Sequence, residues 1–110
     1  MSTTPPRPLM TRSALLNQIQ ERQTMLCIGL DTDPHLIPAC LRHDAHPVRS
    51  FHKAIIEATS DCCIAYKPNL AFFEAMGPAG MEDFAETVAM IPSGILRIAD
   101  AKRGDIGNTA

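Results

Sequence analysis

The stretch Ile95-Leu96-Arg97-Ile98-Ala99-Asp100-Ala101-Lys102-Arg103-Gly104-Asp105 decides the fold. A short, mostly apolar run ends on charged residues and then meets a glycine, where the chain can turn and bring backbone close to a ligand. On an extended strand, residues two apart project to the same face, so Asp100 and Lys102 point together. Two earlier runs close in the same way. Met25-Leu26-Cys27-Ile28-Gly29-Leu30 ends at Asp31, and Cys62-Cys63-Ile64-Ala65-Tyr66 ends at Lys67, with Pro68 stopping it. Continuous apolar runs of this length suit strands buried on both faces of a parallel sheet.

Helical patterns separate the three runs. Thr11 is a candidate cap for a helix with Leu15, Leu16 and Ile19 as its apolar stripe. From about Val48 to Ser60, the residues Phe51, Ala54, Ile55 and Ala58 recur at helical spacing, which puts His52 on the polar side. A short helical piece runs from Leu70 to Met76. Another helix near Ala79 to Met90 carries Met81, Phe84, Ala85 and Val88 on one expected core face. The segment from Asp31 to Pro47 is rich in proline and reads as a loop. Strands recurring at roughly 30–40 residues mark βαβ units. The expected fold class is therefore α/β, with the amino-terminal strand-helix units of a (β/α)₈ TIM barrel, incomplete in this chain because three parallel strands leave apolar edges open. Residues 1–10 read as a flexible lead, and 11–110 as the partial barrel domain.

Composition narrows the function. The 110 residues are 45% hydrophobic and carry a net charge of −2, with ten Lys+Arg against twelve Asp+Glu. There is no basic stripe and few aromatics, so a nucleic-acid partner is not expected. No apolar run is long enough to span a bilayer, and the proline-bearing lead has no signal-peptide core. A cytoplasmic protein is expected. The four cysteines show no C-x-x-C spacing, and those inside the apolar runs are expected to be small buried hydrophobes. Cys40, His43 and His46 lie in the loop at a spacing that matches no standard zinc pattern, so they read as solvated. Gly77-Pro78-Ala79-Gly80 is a turn and helix start rather than a phosphate loop.

Asp31, Lys67, Asp100 and Lys102 would meet at the carboxyl edge of such a sheet, where α/β barrels hold their active sites. Strand-end charges are most often ordinary surface groups forming weak ion pairs. Four of alternating sign on one rim fit a site for a phosphorylated ligand or a metal, and spacing alone goes no further.

The block Asp100-Ala-Lys-Arg-Gly-Asp105-Ile-Gly-Asn-Thr109-Ala resembles the D-x-K-x-x-D…I-x-x-T signature of orotidine 5'-phosphate decarboxylases. Leu26–Asp31 is similar to that family's first-strand motif, and Tyr66-Lys67-Pro68-Asn69-Leu70-Ala71-Phe72-Phe73-Glu74 to its second, in a form typical of one bacterial branch. The resemblance runs from about residue 11 to the chain end and covers only the first part of the family's length. It implies a cofactor-independent decarboxylation of orotidine 5'-monophosphate to UMP in pyrimidine biosynthesis, by a homodimeric barrel. It assigns catalytic roles to Lys102, Asp100, Lys67 and Asp105, and substrate contacts to Asp31, Ile106 and Thr109. Lys102 corresponds to the proton donor to the pyrimidine C6, Asp100 to the group facing the departing carboxylate, and Asp31 to a ribose ligand. Asp105 corresponds to a group that reaches the neighbouring subunit's site, with Ile106 and Thr109 beside it. Neither a cofactor nor a metal is expected. The family's phosphate-gripping loop has no counterpart in residues 1–110.

Two rivals stand beside this reading. Mg²⁺-dependent sugar-phosphate synthases and decarboxylases of the same superfamily share D-x-K-x-x-D, but typically carry an acidic residue where Lys67 stands. The chain by itself would otherwise be a non-catalytic fragment or assembly partner.

Overall fold

Each helix begins where local chemistry supplies a cap or a preset dihedral. In the computed structural model, which describes residues 8–101, the Thr11 hydroxyl accepts the Ala14 N–H at 3.1 Å and opens α1, Arg12–Arg22. Left-handed Gln23 (φ 53°) closes it. α2 (Pro47–Thr59) and α4 (Pro78–Met90) each start with proline, whose fixed φ suits the first turn and whose missing N–H costs nothing there. Between these lie β1 (Cys27–Leu30), β2 (Ala65–Pro68) and the five-residue helix α3 (Leu70–Glu74); β3 (Leu96–Arg97) follows α4. Two 3₁₀ turns, Pro34–Leu36 and Ala39–Leu41, punctuate the loop after β1.

The strands form a parallel sheet in the order β1-β2-β3. Gly29 sits beside Lys67, Leu30 beside Pro68 and Tyr66 beside Arg97. Past β3 the ladder continues through Ile98 N–H to the Tyr66 carbonyl (2.9 Å) and Asp100 N–H to the Pro68 carbonyl (3.0 Å). Fold class is as expected: an α/β chain with parallel strands joined through helices.

The core lies between the sheet and the α2/α4 layer. Leu30, Ile56, Cys63, Tyr66, Ile91 and Ile95 cluster there, and Ile28, Ile55 and Met90 pack against them. Burying side chains of this size contributes roughly 1.5–3 kcal/mol each. The Tyr66 hydroxyl reaches into the helical layer, 2.7 Å from Thr59 Oγ1 and 3.2 Å from the Ile56 carbonyl. Burial pushes its phenol up to about 12, so it stays a neutral partner. The Arg49–Asp83 ion pair ties α2 to α4, and Arg22 Nη1 donates to the Ser60 carbonyl at 2.9 Å, tying α1 to the end of α2.

Gly77 takes φ 73° in the turn before Pro78, a conformation that side chains disfavour. Gly80 serves a different purpose: a Cβ there would fall on the Phe73 carbonyl oxygen and 2.7 Å from Met76 Cβ, so its absence lets α3 and α4 touch.

Several expectations are corrected. β1 is not buried on both faces: Leu30 is sealed towards the helices, while Cys27 and Gly29 are exposed on the other side. The helices cover one face only among the described residues. Of the strand-run cysteines only Cys63 is buried; Cys27 and Cys62 are exposed. The core face of α2 is Val48, His52 and Ile56 rather than the row through Ala54 and Ala58, so His52 is interior. In α4 the buried positions are Gly80 and Thr87, whereas Met81 is 40% exposed. The α1 stripe finds no deep cover: Leu16 is half exposed.

Candidate functional site

The sheet's alternation sorts the strand-end residues. Register places Lys67 beside Gly29, and an isolated parallel bridge pairs Asn69 with Asp100. Lys67, Asn69 and Asp100 therefore share the face turned away from α2 and α4, at the carboxyl ends of β2 and β3. Asp31, one residue past β1, stands at the same edge: Asn69 Nδ2 lies 3.5 Å from Asp31 Oδ2. Asn69 is 5% exposed and also caps α3, its Oδ1 accepting the Ala71 N–H at 3.1 Å.

Lys67 Nζ lies 3.3 Å from Asp100 Oδ2, with side-chain exposures of 36% and 15%. A partly desolvated pair gains more from Coulomb attraction than a surface pair. Asp100 is anchored by its backbone as well: its N–H goes to Pro68 and its carbonyl accepts the Leu70 N–H at 2.9 Å. The small Gly29 leaves the space over β1 open. An open cleft of about 370 Å³ begins there, lined by Gly29, Asp31, Thr32, Asp33, Phe51 and Phe72, among others.

Of the residues expected at the site, Asp31, Lys67 and Asp100 come together on this rim. Lys102, Asp105, Ile106 and Thr109 lie outside the described residues. Asn69 was assigned no role from the sequence, although it stands two positions after Lys67 and the same alternation that aligned Asp100 with Lys102 would have aligned it. Behind the cleft stands a buried imidazole, His52, which the helical pattern alone puts on the polar side of α2. His52 Nε2 is 2.6 Å from Thr32 Oγ1, and Nδ1 is 2.9 Å from Thr87 Oγ1. Desolvation lowers the His52 pKa from 6.5 to about 4, opposed by the nearby Asp83 carboxylate, so the ring is neutral near pH 7. Its signal was the i, i+4, i+8 row Val48–His52–Ile56, legible once the true core face is known.

Among the described residues, no cluster of His, Cys, Asp and Glu has the makings of a metal centre, Cys40, His43 and His46 included. No described helix is long and apolar enough to cross a membrane.

The class so defined is an α/β chain whose parallel strands deliver acidic and basic groups to one sheet edge. Comparison with known proteins gives it a family. The family model described as "Orotidine 5'-phosphate decarboxylase / HUMPS family" matches residues 24–110. The orotidine 5'-phosphate decarboxylase of Parabacteroides distasonis is 50% identical over 105 residues, covering 92% of this chain and 37% of that protein. The one from Herpetosiphon aurantiacus is 54% identical over 88 residues, or 80% of this chain and 33% of the relative. Among solved structures, Leishmania donovani UMP synthase matches with TM-score 0.70 and 33% identity over 90% of this chain and 20% of that one. Leishmania donovani OMP decarboxylase matches with TM-score 0.62 and 36% identity over 86% and 36%. The chain belongs to the orotidine 5'-phosphate decarboxylase / HUMPS family. It spans between a third and two fifths of the length of the curated relatives it matches.

Proposed function

We propose that this chain forms the first three strand-helix units, over residues 11–110, of a barrel that decarboxylates orotidine 5'-monophosphate to UMP in the cytoplasm, working as a homodimer. The observation that carries the reading is the Lys67–Asp100 pair on the sheet edge beside Asn69 and Asp31.

Loss of CO₂ from C6 breaks the C6–carboxylate bond and leaves its electron pair on a ring carbon with nowhere to delocalise. A fixed ammonium at that carbon, held in place by carboxylates, stabilises the developing charge without reorganisation. In this reading Lys102 supplies the ammonium and then transfers its proton to C6. Asp100 faces the departing carboxylate, and Lys67 orients Asp100 through their ion pair. Asp31 accepts hydrogen bonds from ribose hydroxyls. Asp105, with Ile106 and Thr109, completes the site of the neighbouring subunit. The demand lies towards the upper part of the about 8–23 kcal/mol by which enzymes commonly lower barriers, so binding energy from the remote phosphate must contribute.

The Mg²⁺-dependent branch is disfavoured by the ammonium of Lys67, which occupies the place of an acidic ligand and would repel a divalent cation beside Asp100. Titrating the 110-residue chain with UMP and 6-azaUMP by calorimetry tests binding. In a protein carrying the complete barrel, Lys102→Ala should abolish turnover with the fold intact, and EDTA should leave wild-type turnover unchanged. Retained turnover in that variant would remove the role given to Lys102, and turnover lost to EDTA would favour the metal-dependent branch.

A further inference from the structure

His52 is fully buried, with 0% exposure, and both ring nitrogens are engaged by threonine hydroxyls from different parts of the fold. Thr87 belongs to α4, in the helical layer. Thr32 directly follows Asp31, in the segment that walls the cleft. The ring is wedged against Phe73, with centroids 5.6 Å apart. Its sequence neighbour Phe51 lines the same cleft. A neutral imidazole donates from one nitrogen and accepts at the other, so a hydroxyl–imidazole–hydroxyl chain satisfies it whichever tautomer is present. Elsewhere along this segment Asn69 Nδ2 reaches Asp31 Oδ2 at 3.5 Å, the Asp33 side chain accepts the His35 N–H at 2.9 Å, and Ile37 is buried.

We propose that His52 is a positioning residue of the nucleotide site: by bracing Thr32 against the helical layer, it fixes the direction of Asp31 and the adjacent cleft wall. The inference rests on the nucleotide reading of Asp31 given above. It deepens that reading by naming what holds the ribose-binding carboxylate, since a loop carboxylate without a brace loses affinity to conformational freedom.

Amide-bearing substitutions separate bracing from mere core filling. The amide of His52→Gln reaches the position of Nε2 and keeps a link to Thr32; that of His52→Asn reaches only the Nδ1 position and keeps the link to Thr87. Thr32→Val cuts the brace at the loop end and leaves the core histidine in place. Backbone amide order from ¹⁵N relaxation over residues 31–37 reads the first consequence on the 110-residue chain, and UMP titration by calorimetry reads the second on a protein carrying the complete barrel. In His52→Asn and Thr32→Val, amide order over 31–37 should fall while α2 and α4 stay unchanged, and UMP affinity should drop about five- to tenfold, the worth of one net hydrogen bond. His52→Gln should stay within about twofold of wild type. Equal losses in His52→Gln and His52→Asn would overturn the proposal, as would unchanged order over 31–37 in Thr32→Val. If a protein carrying the complete barrel does not bind UMP, the nucleotide reading of the site falls, and with it Asp31's role as a ribose ligand; the amide measurements still decide whether His52 braces the segment.

Discussion

Acidification should destabilise this fold through one buried ring. His52 titrates at about 4 in the folded chain against an ordinary 6.5, because burial disfavours the imidazolium. Between those values the unfolded chain binds more protons than the folded one, so stability rises with pH. The contribution is fully present above 6.5, fades as pH falls, and is gone below about 4. That interval, at about 1.4 kcal/mol per pH unit, amounts to roughly 3 kcal/mol. Against a typical total of about 5–15 kcal/mol the loss is large. Asp83 of α4 is the charged group that opposes the shift, and it is itself paired with Arg49 of α2. Urea unfolding followed by circular dichroism, from about pH 7 to about pH 4, gives the stability curve. The same series on His52→Gln, which cannot titrate, subtracts the other groups. Wild type should lose roughly 3 kcal/mol relative to the variant across this range. Parallel curves for the two proteins would refute the reasoning, since they would mean that the ring takes up its proton equally easily folded and unfolded.

Other perturbations are read from contacts. Gly80→Ala should cost roughly 3 kcal/mol in urea unfolding, because the new methyl group meets the Phe73 backbone, which cannot swing aside. Tyr66→Phe removes the hydroxyl shared by Thr59 and the Ile56 carbonyl and should lower stability by about 1 kcal/mol. Lys67→Met removes the ion pair to Asp100 at 3.3 Å and should change stability in urea unfolding by no more than about 1 kcal/mol. The exposed Asp44 carboxyl is held below its ordinary 3.8 by the His46 N–H and the Ser50 side chain. Asp44→Ala should therefore flatten the part of the acid unfolding profile below about pH 4.

The parts of this fold governed by short-range rules were legible in the sequence. Thr11 as a helix cap and apolar runs ending on Asp31 and Lys67 each follow from one residue and its neighbours. Ending their strands in a parallel sheet was enough to bring Lys67 and Asp100 to one edge. What escaped depends on which face the partner layer covers. The α2 pattern offers two overlapping apolar rows, and alanines 54 and 58 made the solvent-facing row look like core. The buried row contains a histidine, whose polarity argues for the surface until Thr32 and Thr87 are known to satisfy both nitrogens. No local pattern links positions 32, 52 and 87. Cys27 and Gly29 misled for the same reason: a continuous apolar run predicts two covered faces, and one helical layer covers only one.

Position 100 is held on both sides, its amide hydrogen by Pro68 of β2 and its carbonyl by Leu70 of α3. A main chain fastened at two points behaves like a socket: the group plugged into it can be exchanged while the mount stays still. Swapping the aspartate for asparagine or glutamate would then alter charge, or reach by one methylene, as nearly independent variables. Few loop-borne residues allow electrostatics and geometry to be dialled separately in this way.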